Sequence, residues 1–185
     1  MEETDADLAR RAAAGDAAAF GVLYDRYLAR VYRYALLRLA DPTEAEAVTS
    51  DVFFQALGAL HRYEPRTAFL AWLFRIARNA IIDRARRRQR TPSTSLDEAS
   101  ARLRRAGERD DPEAASIARD DARRLRASLE ALSPLQREVV LLRFFDDLST
   151  EEICSVIGKG PSTVRGIQHR ALAALRKLIP ERELV

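Results

Sequence analysis

The 185 residues predict an all-α fold: two small helical domains joined by a flexible linker, the C-terminal one a helix-turn-helix. Three observations carry that expectation. Hydrophobic residues make up 47% and charged residues 32%, with only seven Gly, a balance weighted toward good helix formers. Apolar residues recur at threes and fours in long runs near both ends of the chain. Between them the stretch Thr91 to Pro112, TPSTSLDEASARLRRAGERDDP, carries Pro, Ser, Thr and mixed charge with almost no large apolar side chain. Residues 1–90 are therefore expected to form one domain, 91–114 the linker and 115–185 the second domain.

The elements follow in order. A short helix spans Asp5 to Ala14, and Gly15 and Asp16 break it. From Ala17 to Leu39 the residues Phe20, Leu23, Tyr24, Tyr27, Leu28, Val31 and Ala35 mark one helical face. Asp41 is placed to cap the next helix, with Pro42 at its first position and Glu44 three residues on. That helix runs to about Leu60 and buries Ala45, Val48, Val52, Ala56 and Leu57, and the connection His61 to Arg66 contains Pro65. From Thr67 to Arg90 the faces separate: Phe69, Leu70, Leu73, Phe74, Ile76, Ala77, Ala80 and Ile81 form a core side, and Trp72, Arg75, Asn79, Asp83, Arg86 and Arg90 the opposite stripe. A flat ring beside guanidinium groups and an amide can stack on a base and hold phosphates. Arginines also suit a helix C-terminus for electrostatic reasons alone, so this helix by itself leaves both readings open.

The second domain opens with a helix from Glu113 to Ala131 through Ile117, Leu125 and Leu129. Ser133, Pro134 and Gln136 make a capping-box start for a helix through Val139, Leu142 and Phe145, and Ser149 with Glu152 starts the next, through Ile153, Val156 and Ile157. Gly158 ends it. Gly160 and Pro161 open a last helix whose buried stripe is Val164, Ile167, Ala171, Leu175 and Leu178. STEEICSVIGKGPSTVRGIQHRALAALR thus reads as a helix-turn-helix. Ser162, Thr163, Arg165, Gln168 and His169 can face out near the start of its second helix, where Arg and Gln make two-point contacts with base edges and hydroxyls reach phosphates. Arg170, Arg176 and Lys177 extend that surface.

Composition excludes several classes. Lys and Arg number 31 against 28 Asp and Glu, for a net charge of +3, but the arginines cluster at Arg84 to Arg90 and from Arg165 onward. One cysteine rules out an internal disulfide, and Cys154 with two histidines makes neither a zinc site nor a nucleophilic pair. No catalytic residue, metal or cofactor is expected: there is no glycine-rich phosphate loop and no HExxH. The acidic start MEETDAD is wrong for a secretory signal, and no apolar run spans a membrane, so a soluble cytoplasmic protein without membrane insertion is expected. On the residues alone, an ordinary duplex-binding transcriptional regulator and a protein that sequesters a partner remain alternatives.

Three motifs in order resemble one family. EAEAVTSDVFFQAL is similar to the core-polymerase-binding helix of the extracytoplasmic function (ECF) sigma factors, in the sigma-70 family of bacterial RNA polymerase. FLAWLFRIARNAIIDRARRR resembles their promoter-melting and minus-ten helix, and LSTEEICSVIG with STVRGIQHRALAALR their minus-thirty-five reader. The resemblance places region two at about Ala6 to Arg90 and region four at about Ala118 to Ile179. It implies a transcription initiation factor with no catalysis of its own. Glu44, Asp51 and Gln55 would meet the coiled coil of the largest polymerase subunit, and region four would meet the polymerase flap. The segment Arg62 to Thr67, with Arg62 and Tyr63, would capture a flipped base. Trp72, Arg75, Arg78, Asn79, Asp83 and Arg86 would line the melted minus-ten strand, Asn79 reading a base edge. Ser162, Thr163, Arg165, Gln168, His169 and Arg170 would read the minus-thirty-five duplex, and an anti-sigma factor is a common further partner. This chain departs from the family pattern at Ala47, Ser50, Asp51 and Leu57, and at Gly166, Ile167 and Gln168, the last three implying a promoter preference of its own.

Overall fold

The computed structural model describes residues 3–65, 67–90 and 124–178, with the side chains of 88–90 outside that set. The expected linker and the first part of the helix expected from Glu113 lie outside the described residues. Those residues hold helices and no strand, and the chain divides into two compact units, one built on the N-terminal helices and one on the C-terminal helices. Residues 151–158 group with the first unit, whereas the sequence assigns them to the C-terminal domain.

In the first unit, α1 (Asp5–Ala13) starts at Thr4, whose hydroxyl oxygen accepts from the Asp7 amide at 3.2 Å. Gly15, at φ 96°, turns the chain into α2 (Ala17–Leu39). Asp16 caps α2 by accepting from the amides of Ala18 and Ala19 at 3.0 and 3.1 Å, and Arg11 grips its other carboxylate oxygen. α3 (Pro42–Ala59) begins as the sequence predicts, with Asp41 accepting from the Glu44 amide and Pro42 in the first turn, where its missing N–H costs nothing. A 3₁₀ turn (Leu60–Arg62) leads toward α4 (Phe69–Arg90). α2 packs on α1, α3 and α4, and α3 packs on α4. The core between them contains Leu8, Leu23, Val31, Tyr34, Val48, Val52, Leu73 and Phe74. Burying such a side chain stabilises the fold by about 1.5–3 kcal/mol.

One expected feature of α3 is corrected. Leu57, assigned to the buried stripe, is 49% exposed, while Phe53 is buried against Tyr24, ring centroids 4.6 Å apart. Phe53 and Leu57, four residues apart, lie on the same side of the stripe through Ala45, Val48, Val52 and Ala56, with Phe53 nearer to it and in contact with Tyr24 of α2.

In the second unit, helical residues 124–130 end against Arg137, whose guanidinium donates to the carbonyls of Leu129 and Glu130 at 2.8 and 3.2 Å. α5 (Pro134–Val140) opens on the expected capping box: Ser133 Oγ accepts from the Gln136 amide, and Gln136 Oε1 accepts from the Ser133 amide. The expected regular helix through Phe145 instead widens into a π-helical turn over Leu141–Phe145. There Leu141 and Leu142 are both buried, Leu148 folds back with its amide on the Leu142 carbonyl, and Arg143 donates to the Leu148 carbonyl at 2.9 Å. α6 (Thr150–Ile157), which apart from Thr150 groups with the first unit, buries Ile153, Val156 and Ile157 and ends at Gly158, whose φ of 67° is the left-handed stop that glycine adopts without strain. α7 (Pro161–Arg176) starts at Gly160 and packs on α5. Val164, Ile167 and Ala171 are buried as expected, but Leu175 is only half-buried and Leu178 is 48% exposed, because the inward stripe ends before the last turn.

Candidate nucleic-acid interface

The entry to α4 is built from rings. Tyr63 follows the 3₁₀ turn, and its hydroxyl donates to the Thr67 carbonyl at 2.8 Å. Its ring meets Phe69 edge-on at 5.4 Å and lies 5.3 Å from Trp72, while Phe69 and Trp72 stand 5.4 Å apart. Trp72 is thereby corrected: the sequence places it on an exposed stripe, yet it is 7% exposed. Phe69 and Ala71 to Phe74 are all buried, since Tyr63 covers Trp72 on the side that helical periodicity leaves outward. Burial, and then the negative charge of Asp5, hold the Tyr63 hydroxyl above the ordinary tyrosine pKa, so it stays a donor. Arg62 is exposed beside this cluster, its Nε donating to His61 Nε2 at 3.1 Å.

Beyond the cluster α4 becomes amphipathic. Arg75, Asn79, Asp83, Arg86 and Arg87 are exposed, and Arg78 is half-buried. Asp83 and Arg86 approach at 3.7 Å, both more than half exposed, a pairing too weak to withhold Arg86 from a phosphate. Arg84, the first of the clustered arginines, turns inward to pair with Glu44 at the start of α3. Its hydrogen bond to the Glu44 carboxylate is the first cause of its raised pKa. The same contact half-buries Glu44, which the sequence places on an exposed side, and makes it a strut between α3 and α4, whereas Asp51 and Gln55 stand exposed.

The sequence reading missed two features of this unit. Phe54 is 79% exposed, opposite the core stripe of α3 and on one side with Asp51 and Leu57. Its position outside the period of Val48, Val52 and Ala56 was the available signal. A groove of about 540 Å³ also runs between α2 and α3, lined by Tyr24, Asp25, Leu28, Tyr32, Glu46 and Ser50. It arises from two helices meeting, which neither helix records alone.

On α7, Ser162, Thr163, Arg165, His169 and Arg170 are exposed and Gln168 is half-buried. The helix N-terminus beneath Ser162 and Thr163 favours an anion. Gly166 leaves the middle of the exposed face bare, and Arg170 folds over it, its Nη1 3.5 Å from where a Cβ would stand. Among the described residues no His, Cys, Asp or Glu groups gather as a metal site, and no helix is long and apolar enough to cross a membrane.

Residues 23–91 match the family model of sigma-70 region 2, and residues 122–175 that of sigma-70 region 4. The ECF RNA polymerase sigma factor SigK of Mycolicibacterium vanbaalenii is 32% identical over 96% of this chain and 89% of its own length. The chain belongs to the ECF sigma factors. The ECF sigma factor BldN of Streptomyces coelicolor is 36% identical over 95% of the chain, which spans 66% of BldN. A solved structure of CnrH in complex with the cytosolic domain of CnrY superposes with a TM-score of 0.72 at 29% identity, covering 95% of this chain and 97% of CnrH. The sigma factor RpoE of Bartonella quintana, solved with the anti-sigma factor NepR, shares the fold at a TM-score of 0.66 and 22% identity over 86% of this chain and 95% of RpoE. In this ECF sigma factor the region 2 match takes in α3, the ring cluster and α4, and the region 4 match takes in α5, α6 and most of α7. α1 lies ahead of the matched residues.

Proposed function

We propose that this sigma factor binds core RNA polymerase and directs initiation at promoters by reading a melted minus-ten strand with region 2 and a minus-thirty-five duplex with region 4. The observation that carries the reading is the ridge of exposed Arg75, Asn79, Asp83 and Arg86 rising from a buried aromatic platform. The buried rings fix where the ridge starts, and the ridge offers an amide to a base edge and guanidinium groups to phosphates, as a displaced strand requires. Asn79 offers a donor and an acceptor to a base edge, Arg75, Arg78 and Arg86 serve the backbone, and Arg62 and Tyr63 frame the capture of an unstacked base. Unstacking costs a few kcal/mol per step, and binding of the single strand offsets it.

Region 4 supplies register through Arg165, Gln168, His169 and Arg170, with Ser162 and Thr163 on phosphates. Two readers in one chain raise each other's effective concentration at a promoter of the right span. Asp51 and Gln55 border a polymerase-binding face whose apolar centre is Phe54 and Leu57, the composition of an interface core with a polar rim. The protein has no catalysis of its own, works in the cytoplasm beside polymerase and DNA, and is held in check by an anti-sigma factor; the structure of CnrH in complex with the cytosolic domain of CnrY supports a protein ligand.

Transcription with purified core polymerase tests this. Core and this protein together are expected to initiate at promoters where neither does alone. A protein that shifts duplex DNA unaided and leaves initiation unchanged is a regulator instead.

A further inference from the structure

Region 2 as matched begins at residue 23, yet its ring cluster is anchored by a residue before that point. Asp5, in the first turn of α1, spans two partners on α2: one carboxylate oxygen accepts from Arg26 Nη1 and the other from the Tyr27 hydroxyl. Tyr27 is buried, and its ring packs on Phe69 with centroids 5.6 Å apart. Phe69 in turn carries Tyr63 and Trp72, and Tyr63 holds the Thr67 carbonyl. Asp5, Tyr27, Phe69, Tyr63 and Thr67 thus form one chain of contacts from α1 to the entry of α4, and α1 also packs on the 3₁₀ turn that delivers Tyr63.

We propose that Asp5 and Tyr27 are positioning residues for the capture of an unstacked minus-ten base, acting through the ring cluster that sets Tyr63 and, through its hydroxyl, the Thr67 carbonyl. The inference rests on the promoter-reading function proposed above. Neither residue touches nucleic acid in this scheme. A buried phenol hydroxyl demands a partner, and Asp5 supplies it with a full charge, the strong form of that bond. Removing the carboxylate leaves the hydroxyl unsatisfied and frees the Tyr27 ring to shift, and close-packed rings pass such a shift on to Phe69 and Tyr63. α1 then belongs to the strand-reading device, although it contributes none of its surface.

The test uses holoenzyme assembled with the wild type, Asp5→Ala and Tyr27→Phe. Affinity is measured for a single-stranded minus-ten oligonucleotide, for the same strand with each base in turn replaced by an abasic site, and for minus-thirty-five duplex. The wild type is expected to show one position where base removal is costly. Both variants are expected to bind the intact strand about tenfold more weakly, as for loss of one base's stacking, with the abasic penalty at that position largely gone and duplex affinity unchanged. A loss equal on intact and abasic strands, or an undiminished penalty, overturns the proposal. Should Asp5→Ala fail to fold, Tyr27→Phe, which removes one oxygen and keeps the ring, decides alone. Wild-type holoenzyme with no affinity for the single strand overturns the strand-reading function itself, a result visible without either variant.

Discussion

Asn79 stands exposed on α4 one turn after Arg75 and one turn before Asp83, where an amide has no structural task. Asn79→Ala is therefore expected to slow promoter opening by about tenfold, one good base contact, while leaving closed-complex formation largely intact. Permanganate reactivity of unpaired thymines against filter binding of the closed complex separates the two, and equal loss of both contradicts the role. Tyr27 carries a pH consequence. Burial first, then its bond to Asp5, raises its pKa in the folded state above the ordinary value of about 10. The native protein then holds the phenol proton more tightly than the unfolded chain does. Tyr27 thus contributes stability that is complete below about pH 10 and is lost as pH rises above it. Denaturant unfolding from pH 8 to 11 is expected to fall more steeply for wild type than for Tyr27→Phe. The single-residue surprise at Trp72 has a plain cause. A helical wheel assigns sides from one helix, whereas the outward side of Trp72 is covered by Tyr63 from the preceding segment.

At the scale of elements, the helix starts were legible because caps are local. Asp16, Asp41 and Ser133 each bond an amide two or three residues on, within reach of a short sequence window. The Glu44–Arg84 strut was not, since its partners lie forty residues apart and both read as surface charges. Side-chain exposures of 19% and 32% make it a partly solvated pair, so a double-mutant cycle with Glu44→Gln and Arg84→Gln is expected to give a coupling of about 1 kcal/mol or less. In α7, Gly166 is mid-helix with negative φ and only Arg170 near. Gly166→Ala is expected to stabilise region 4 by about 0.5–1 kcal/mol through helix propensity, read as a raised denaturation midpoint. Its methyl would sit at ordinary contact distance from Arg170, so no clash offsets the gain. The π-helical turn after α5 escaped the sequence because a wide turn and a regular one present similar apolar runs there.

For the whole molecule, two readers with separate targets imply separable losses. Arg165→Ala is expected to cost about 1–3 kcal/mol at cognate duplex and relax preference at one upstream base pair, with single-strand affinity untouched. Combined with Asn79→Ala the effects on promoter binding are expected to add within about 0.5 kcal/mol, as for sites without shared partners. A uniform loss across duplex sequences would make Arg165 a phosphate contact instead. The sequence by itself determined the helical class, most helix starts, and the three motifs that place the chain among the ECF sigma factors, because capping, periodicity and motif spacing are carried by neighbouring residues. Only the tertiary structure decided which side chains of α4 face outward, that Glu44 and Arg84 brace each other, and that Asp5 reaches the aromatic cluster through Tyr27. Those depend on which helices meet, and burial and partner choice belong to the meeting surfaces rather than to any one helix.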